Sequence, residues 1–220
     1  MILVLLKRDA SGHQVEDCRI DPITFGGNKD ETRYGRTSLH WAARHGCLDI
    51  VRFYVEHCRV SVDAKTKDGT TPFQLACYAG HLDVAKYLQS KGASIDVKNR
   101  FGCDVSHWVA MGGSVQVAEW LSRMGVNFIN PQNDGHTSLH KAALKGQVSM
   151  LEYLLTGEFQ SDRSALLLRD KSGATALELG KAMLPNVKNA AQRSRMEELL
   201  KRVEQAGRAY RALAGCDASG

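Results

Sequence analysis

The chain has 220 residues, of which 43% are apolar and 24% charged, ordinary proportions for a protein that buries a continuous core. Its 29 Lys and Arg against 24 Asp and Glu leave a formal charge of +5, too small and too dispersed an excess to make a nucleic-acid footprint by itself, though it favours acidic partners mildly. Six cysteines (Cys18, Cys47, Cys58, Cys77, Cys103 and Cys216) form no Cys-x-x-Cys pair and no regular framework, which points to reduced thiols in the cytoplasm or nucleus rather than disulfides.

Residues 1–30 carry no internal repeat and read as an N-terminal extension or cap. The opening Met1-Ile-Leu-Val-Leu-Leu6 is apolar, lacks a basic segment before it and runs straight into Lys7-Arg8-Asp9, so it fails as a signal peptide and reads as an edge strand or cap. No stretch reaches the roughly 20 apolar residues that span a bilayer, so no membrane insertion is expected.

From there the chain repeats itself. Gly35, Gly69, Gly102, Gly135 and Gly173 recur at intervals of 34, 33, 33 and 38 residues, a period that denotes stacked supersecondary units. The first unit reads Gly35-Arg-Thr-Ser-Leu-His-Trp-Ala-Ala-Arg-His-Gly46 and the second Gly69-Thr-Thr-Pro-Phe-Gln-Leu-Ala-Cys-Tyr-Ala-Gly80. The third is Gly102-Cys-Asp-Val-Ser-His-Trp-Val-Ala-Met-Gly-Gly113 and the fourth Gly135-His-Thr-Ser-Leu-His-Lys-Ala-Ala-Leu-Lys-Gly146. Thr37, Thr71, Asp104 and Thr137 stand where an oxygen can accept from an unpaired helix-start amide. The second glycine of each unit stands where a helix ends in a left-handed turn. A second helix follows, with apolar stripes Ile50, Val51, Tyr54, Val55; Val84, Ala85, Tyr87, Leu88; Val117, Ala118, Trp120, Leu121; and Met150, Leu151, Leu154, Leu155. The surplus residue of the first unit falls around Cys58-Arg59-Val60, and the longer surplus of the fourth around Phe159 to Ser164; both are expected in connecting loops. The fifth unit starts at Thr175-Ala-Leu-Glu-Leu and is broken by Leu184-Pro185-Asn186. A last helix resumes near Asn189 with Met196, Leu199, Leu200 and Val203 on one stripe. The expected organisation is repeats at about 33–66, 67–99, 100–132, 133–170 and 171–205 within a domain over 31–205, then a tail, 206–220, that frays.

Thr71-Pro72-Phe73 and Thr137-Ser138-Leu139-His140-Lys141-Ala142-Ala143 resemble the first-helix motif of the ankyrin repeat, and the in-phase resemblance covers about Arg33 to Val203. It implies an all-α ankyrin-repeat solenoid of stacked helix-turn-helix units joined by hairpin loops: four clear repeats and a degenerate C-terminal capping repeat. It also implies that His40, His107 and His140 brace the turn before each first helix, with His136 and Cys103 on the loop outside it.

No constellation for catalysis, cofactor or metal stands out. The spacings His136/His140 and Cys103/His107 lack third and fourth ligands. Gly173 to Lys181 has the wrong spacing for a phosphate loop, and Cys77 takes an alanine position. No catalytic residue, cofactor or metal is assigned. The resemblance implies instead a non-catalytic protein-binding module, adaptor or scaffold that meets its partner on a concave face and at the loop tips. The corresponding residues are Arg33, Tyr34, Arg36, Arg44, Lys67, Tyr78, Arg100, Phe101, Met111, His136, Leu144 and Lys145. Arg and aromatic residues there suit an interface, and the positive bias suits another protein with an acidic segment. Binding of nucleic acid or another acidic ligand is the alternative and ranks below it; a metal protein or enzyme ranks lower still. A monomer is expected. Trp41, Trp108 and Trp120 read as packing residues.

Overall fold

In the computed structural model the chain is described over residues 34–156 and 166–213, with side chains to 209. The N-terminal extension, Arg33, the surplus segment Phe159 to Ser164, Cys18 and Cys216 lie outside the described residues. The described residues form two compact units that divide between Arg100 and Phe101.

The first unit is built from two helix pairs: α1 (Ser38–Arg44) with α2 (Leu48–Arg52), and α3 (Pro72–Ala79) with α4 (Leu82–Ser90). Each start is written locally. Thr71 Oγ1 accepts from the Gln74 amide while Gln74 Oε1 accepts from the Thr71 amide, a reciprocal capping box; Thr37 and His40 form the equivalent box at α1. Pro72 sits at the first position of α3, where its missing N–H costs nothing. Gly80 ends α3 with φ of 83°, the left-handed value that excludes other residues most strongly. The core is a seam of Leu39, Ala42, Ala43, Val51, Phe73, Leu75, Ala76, Val84, Ala85 and Leu88, with small alanines letting α1 and α3 approach. Tyr54, Val55 and Tyr87 are at the margin of the second-helix stripe and only half-buried.

The surplus residue of the first repeat is not confined to a loop. It widens the end of α2 into a single π turn, Phe53–His57, and beyond it Arg59 takes φ of 51°, a left-handed value for a residue with a β-carbon.

The second unit holds α5 (Val105–Gly112) with α6 (Val115–Arg123), α7 (Ser138–Leu144) with α8 (Val148–Thr156), and α9 (Ala176–Met183) with α10 (Ala190–Leu213). First helices pack on first helices and second on second within the unit. Thr175 and Glu178 form the capping box of α9, and Pro185 lies in a 3-10 turn, Leu184–Asn186, that ends it. Met196, Leu199, Leu200 and Val203 are buried as their spacing predicts. Arg193 folds back so that Nε and Nη2 donate to the Val187 carbonyl.

Residues 206–213, expected to fray, continue α10. There Gly207 is buried, and a β-carbon built on it would lie 3.2 Å from Leu167 Cδ2, so the bare backbone passes Leu167 inside the helix. Among the described residues strand pairing is limited to the isolated bridge Arg169–Thr175, and no helix is long and apolar enough to cross a membrane.

Candidate functional site

The residues expected at an interface lie at the loop tips and along the first helices. A tip is a tight turn: the Gly69 amide donates to the Thr66 carbonyl (2.9 Å), Gly135 to Gln132 (2.8 Å) and Gly173 to Asp170 (2.9 Å). Successive tips are laced by their backbones. Lys67 N–H donates to Tyr34 C=O and Arg100 N–H to Asp68 C=O in the first unit, as do Asn133 to Phe101 and Lys171 to Asp134 in the second. The lacing fixes where residues 34, 67 and 100, and 101 and 133, project.

Two of the boxed histidines, His40 and His107, anchor their helices to those tips. His40 Nδ1 lies 2.8 Å from Thr37 Oγ1 and Nε2 lies 3.2 Å from the Thr70 carbonyl of the next repeat. His107 repeats this toward Asp104 Oδ1 (2.8 Å) and the His136 carbonyl (3.0 Å). His140 pairs with Thr137 Oγ1 at 2.9 Å. Burial lowers the pKa of His40 and of His140, favouring the neutral ring. Burial pushes Asp104 up, but hydrogen bonds from His107 and Ser106 outweigh it and leave the carboxyl below its ordinary range. The brace that the resemblance implied is therefore present.

In the first unit Tyr34 is 48% exposed. The Arg36 guanidinium lies 5.6 Å from the Tyr34 ring centroid and 5.1 Å from that of Trp41. Trp41 in turn stacks on His45 at 6.0 Å. One helix turn on, Arg44 lies 5.1 Å over the half-buried ring of Tyr78. Lys67 and Arg100 are exposed at the tips. Asp68, the carboxylate beside them, is engaged by the hydroxyls of Thr66 and Thr70. Those bonds overcome the upward push of burial and hold it below the usual carboxylate range.

In the second unit Phe101 is 45% exposed, Met111 and Leu144 are half-buried and Lys145 is exposed. His136, expected at the interface, is half-buried and has both ring nitrogens engaged inside the unit. Nε2 lies 2.9 Å from Asp170 Oδ2, Nδ1 lies 3.1 Å from Lys141 Nζ, and the ring stacks on His140 at 5.6 Å. Asp170 also accepts from the Ser172 hydroxyl and from the Ser172 and Ala174 amides, which hold its carboxyl far below the ordinary range.

Two further expectations change. Cys103, placed on the open loop, is 6% exposed and belongs to the core. Trp41, Trp108 and Trp120 are half-exposed rather than core residues. Leu75 is enclosed at the equivalent position of the second repeat, whereas the larger indole of Trp41 stays partly exposed. The sequence reading also missed a second inter-repeat brace: His81 Nε2 lies 3.2 Å from the Arg44 carbonyl, and Gln147 Nε2 donates to the Met111 carbonyl at 2.9 Å. The available signal was a polar residue directly after the second glycine, beside the next helix start.

Among the described residues no group of three or more His, Cys, Asp or Glu is placed to hold a metal ion. Helix pairs with capped starts, left-handed glycine ends and laced turns define a helical repeat protein. The family model for ankyrin repeats (3 copies) matches residues 20–99 and 94–165, and the chain belongs to the ankyrin-repeat family. Its curated relatives include human ankyrin repeat domain-containing protein 29, 38% identical over 30% of this chain and 21% of its own length. Another is the 26S proteasome non-ATPase regulatory subunit 10 of Dictyostelium discoideum, 37% identical over 30% of this chain and 27% of its own. The mitochondrial liver glutaminase of Rattus norvegicus is 43% identical over 24% of this chain and 9% of its own. The similarity thus spans between 9% and 27% of these relatives. Ankyrin repeats are generally protein-interaction modules.

Proposed function

We propose that this protein is a non-catalytic adaptor or scaffold that binds a partner protein through the first-helix faces and loop tips of its repeats. The residues that would make the contact are Tyr34, Arg36, Arg44, Lys67, Tyr78 and Arg100 in the first unit, and Phe101, Met111, Leu144 and Lys145 in the second. The observation that carries the reading is the display of large aromatic and guanidinium side chains at the water-facing register of an otherwise well-buried fold, Tyr34 and Phe101 above all. Such residues supply most of the energy in protein interfaces. The capping boxes and laced tips hold their backbone in place before a partner arrives, which lowers the ordering cost of docking. The reduced-thiol pattern supports a cytoplasmic or nuclear setting, and the protein would act as a monomer.

Affinity capture with the wild type beside a Tyr78→Ala/Arg100→Glu/Phe101→Ala variant tests the reading, with far-UV circular dichroism as a check on folding. A protein retained by the first and lost by the folded variant supports it. Retention of every captured protein by both would place the interface elsewhere.

A further inference from the structure

Arg36 and Arg44 of the first unit are held in an unusual way. Neither makes an ion pair among the described residues, and each lies against aromatic rings, Arg36 on Tyr34 and Trp41, Arg44 on Tyr78. Trp41, Arg44 and His45 are separated by three and four positions on α1, so they share one side of that helix. Among the described residues the carboxylates of the unit are engaged or stand on other elements, Asp96 lying exposed in the loop after α4. Asp68 is occupied by Thr66 and Thr70, Glu56 by Lys91 and Tyr87, and Asp63 by the Ser94 amide. Asp83 accepts from the Val84 amide at the start of α4, and Asp49 lies on α2.

An arginine stacked on a ring keeps its planar edge of N–H donors free while its side chain gives up much of its rotamer freedom beforehand. Two such forks with no acceptor among the described residues make a surface complementary to carboxylates, since Arg pairs with them in a bidentate manner. We infer that the first-helix face of the first unit, through Arg36 and Arg44, binds an Asp- or Glu-containing segment of a partner protein, with the Tyr34, Trp41 and Tyr78 rings holding the guanidinium groups in position. This rests on the protein-binding reading above and names the chemistry of the partner.

The probe is a phage-displayed library of random dodecapeptides panned against the full chain, followed by fluorescence polarisation with the selected peptides. Selected peptides should be enriched in Asp and Glu and should bind at least tenfold more weakly to Arg36→Gln/Arg44→Gln. The same loss should follow when their Asp and Glu are changed to Asn and Gln. Arg59→Gln/Lys86→Gln, with the same change in net charge, should bind as the wild type does. Arg36→Lys/Arg44→Lys, which keeps the charge and removes the fork, should lose several-fold; full affinity there would overturn the role of the stacked guanidinium. Circular dichroism and thermal melting of each variant separate lost binding from lost fold. Selected peptides that are not acidic, or that bind Arg36→Gln/Arg44→Gln unchanged while losing affinity to Phe101→Ala/Met111→Ala, would overturn the inference and leave the protein-binding reading standing. Failure to select any peptide would overturn both. A dimer by sedimentation that dissociates in Arg36→Gln/Arg44→Gln would assign the face to a second copy of the chain and likewise overturn the inference.

Discussion

Gly135 and Gly173 occupy the same turn position in successive repeats, with φ of 84° and 83°, yet they do not bear the same load. A β-carbon at Gly173 would meet nothing within 4 Å, whereas one at Gly135 would stand 3.0 Å from the Asp170 Cα, a backbone atom that cannot swing aside. Gly173→Ala should therefore cost only the left-handed conformation, about 1 kcal/mol, and Gly135→Ala more, about 2–3 kcal/mol, as read from urea unfolding midpoints. Equal losses would mean that the Asp170 turn yields readily. Cysteine reactivity sorts on the same principle. Cys47, Cys77 and Cys103 are buried and Cys58 is exposed, and burial pushes the Cys77 thiol up beyond its ordinary range. Iodoacetamide on the native protein should modify Cys58 and spare those three, with peptide mass spectrometry as the readout. At this scale the glycines and caps were legible because local sterics dictate them. The tryptophans were not, since whether an indole is covered depends on the depth of a slot made by neighbouring repeats.

The helices show the same division between local and tertiary causes. In the first four repeats each first helix is bounded by a cap and a glycine that act within a few residues, so its start and end could be read from the sequence. The length of α10 could not: glycine is a poor helix former, yet Gly207 lies inside the helix with Leu167, forty positions away in the chain, close against its bare backbone. Nor could the π turn at Phe53–His57, where the extra residue is absorbed by widening a helix that is already packed rather than by lengthening a loop. The candidate interface follows this pattern as well. Its tip positions follow the repeat register that the sequence shows, while the engagement of His136 was not legible because its partner Asp170 comes from the following repeat. Among the caps, Thr71 is fully buried and makes both halves of its box with Gln74. Thr71→Ala should lower stability by about 1–2 kcal/mol, measured by urea denaturation. An unchanged midpoint would show that α3 is held by packing alone.

Across the whole molecule the boxed side chains couple stability to pH, and the second repeat shows how to test it. There Gln74 does what histidine does elsewhere: its Oε1 accepts from the Thr71 amide and its Nε2 donates across to the Val97 carbonyl at 2.7 Å, with no proton to gain. His40 and His140 have pKa values lowered from 6.5 chiefly by burial. At His40 the backbone hydrogen bonds to Thr70 and Ala64 oppose burial and the Arg36 charge adds to it; at His140 the His136 charge adds to burial against Asp170. The unfolded chain therefore binds more protons than the fold between the lowered values and 6.5. The stability these rings contribute is whole above pH 6.5 and is lost as the pH falls through that window. Asp170, Asp104 and Asp68 have folded values below 3.8, so their contribution holds above that pH and is lost only as the pH falls beneath it toward the folded values. Unfolding free energy measured by urea titration should thus decline in two stages, one beginning near pH 6.5 and one below pH 4. His40→Gln/His140→Gln copies the second repeat's box and removes the titrating group, so it should flatten the first stage and leave the second in place. A double variant that kept the full decline between pH 6.5 and 5 would show that other groups carry it, and that the two buried boxes are indifferent to protons.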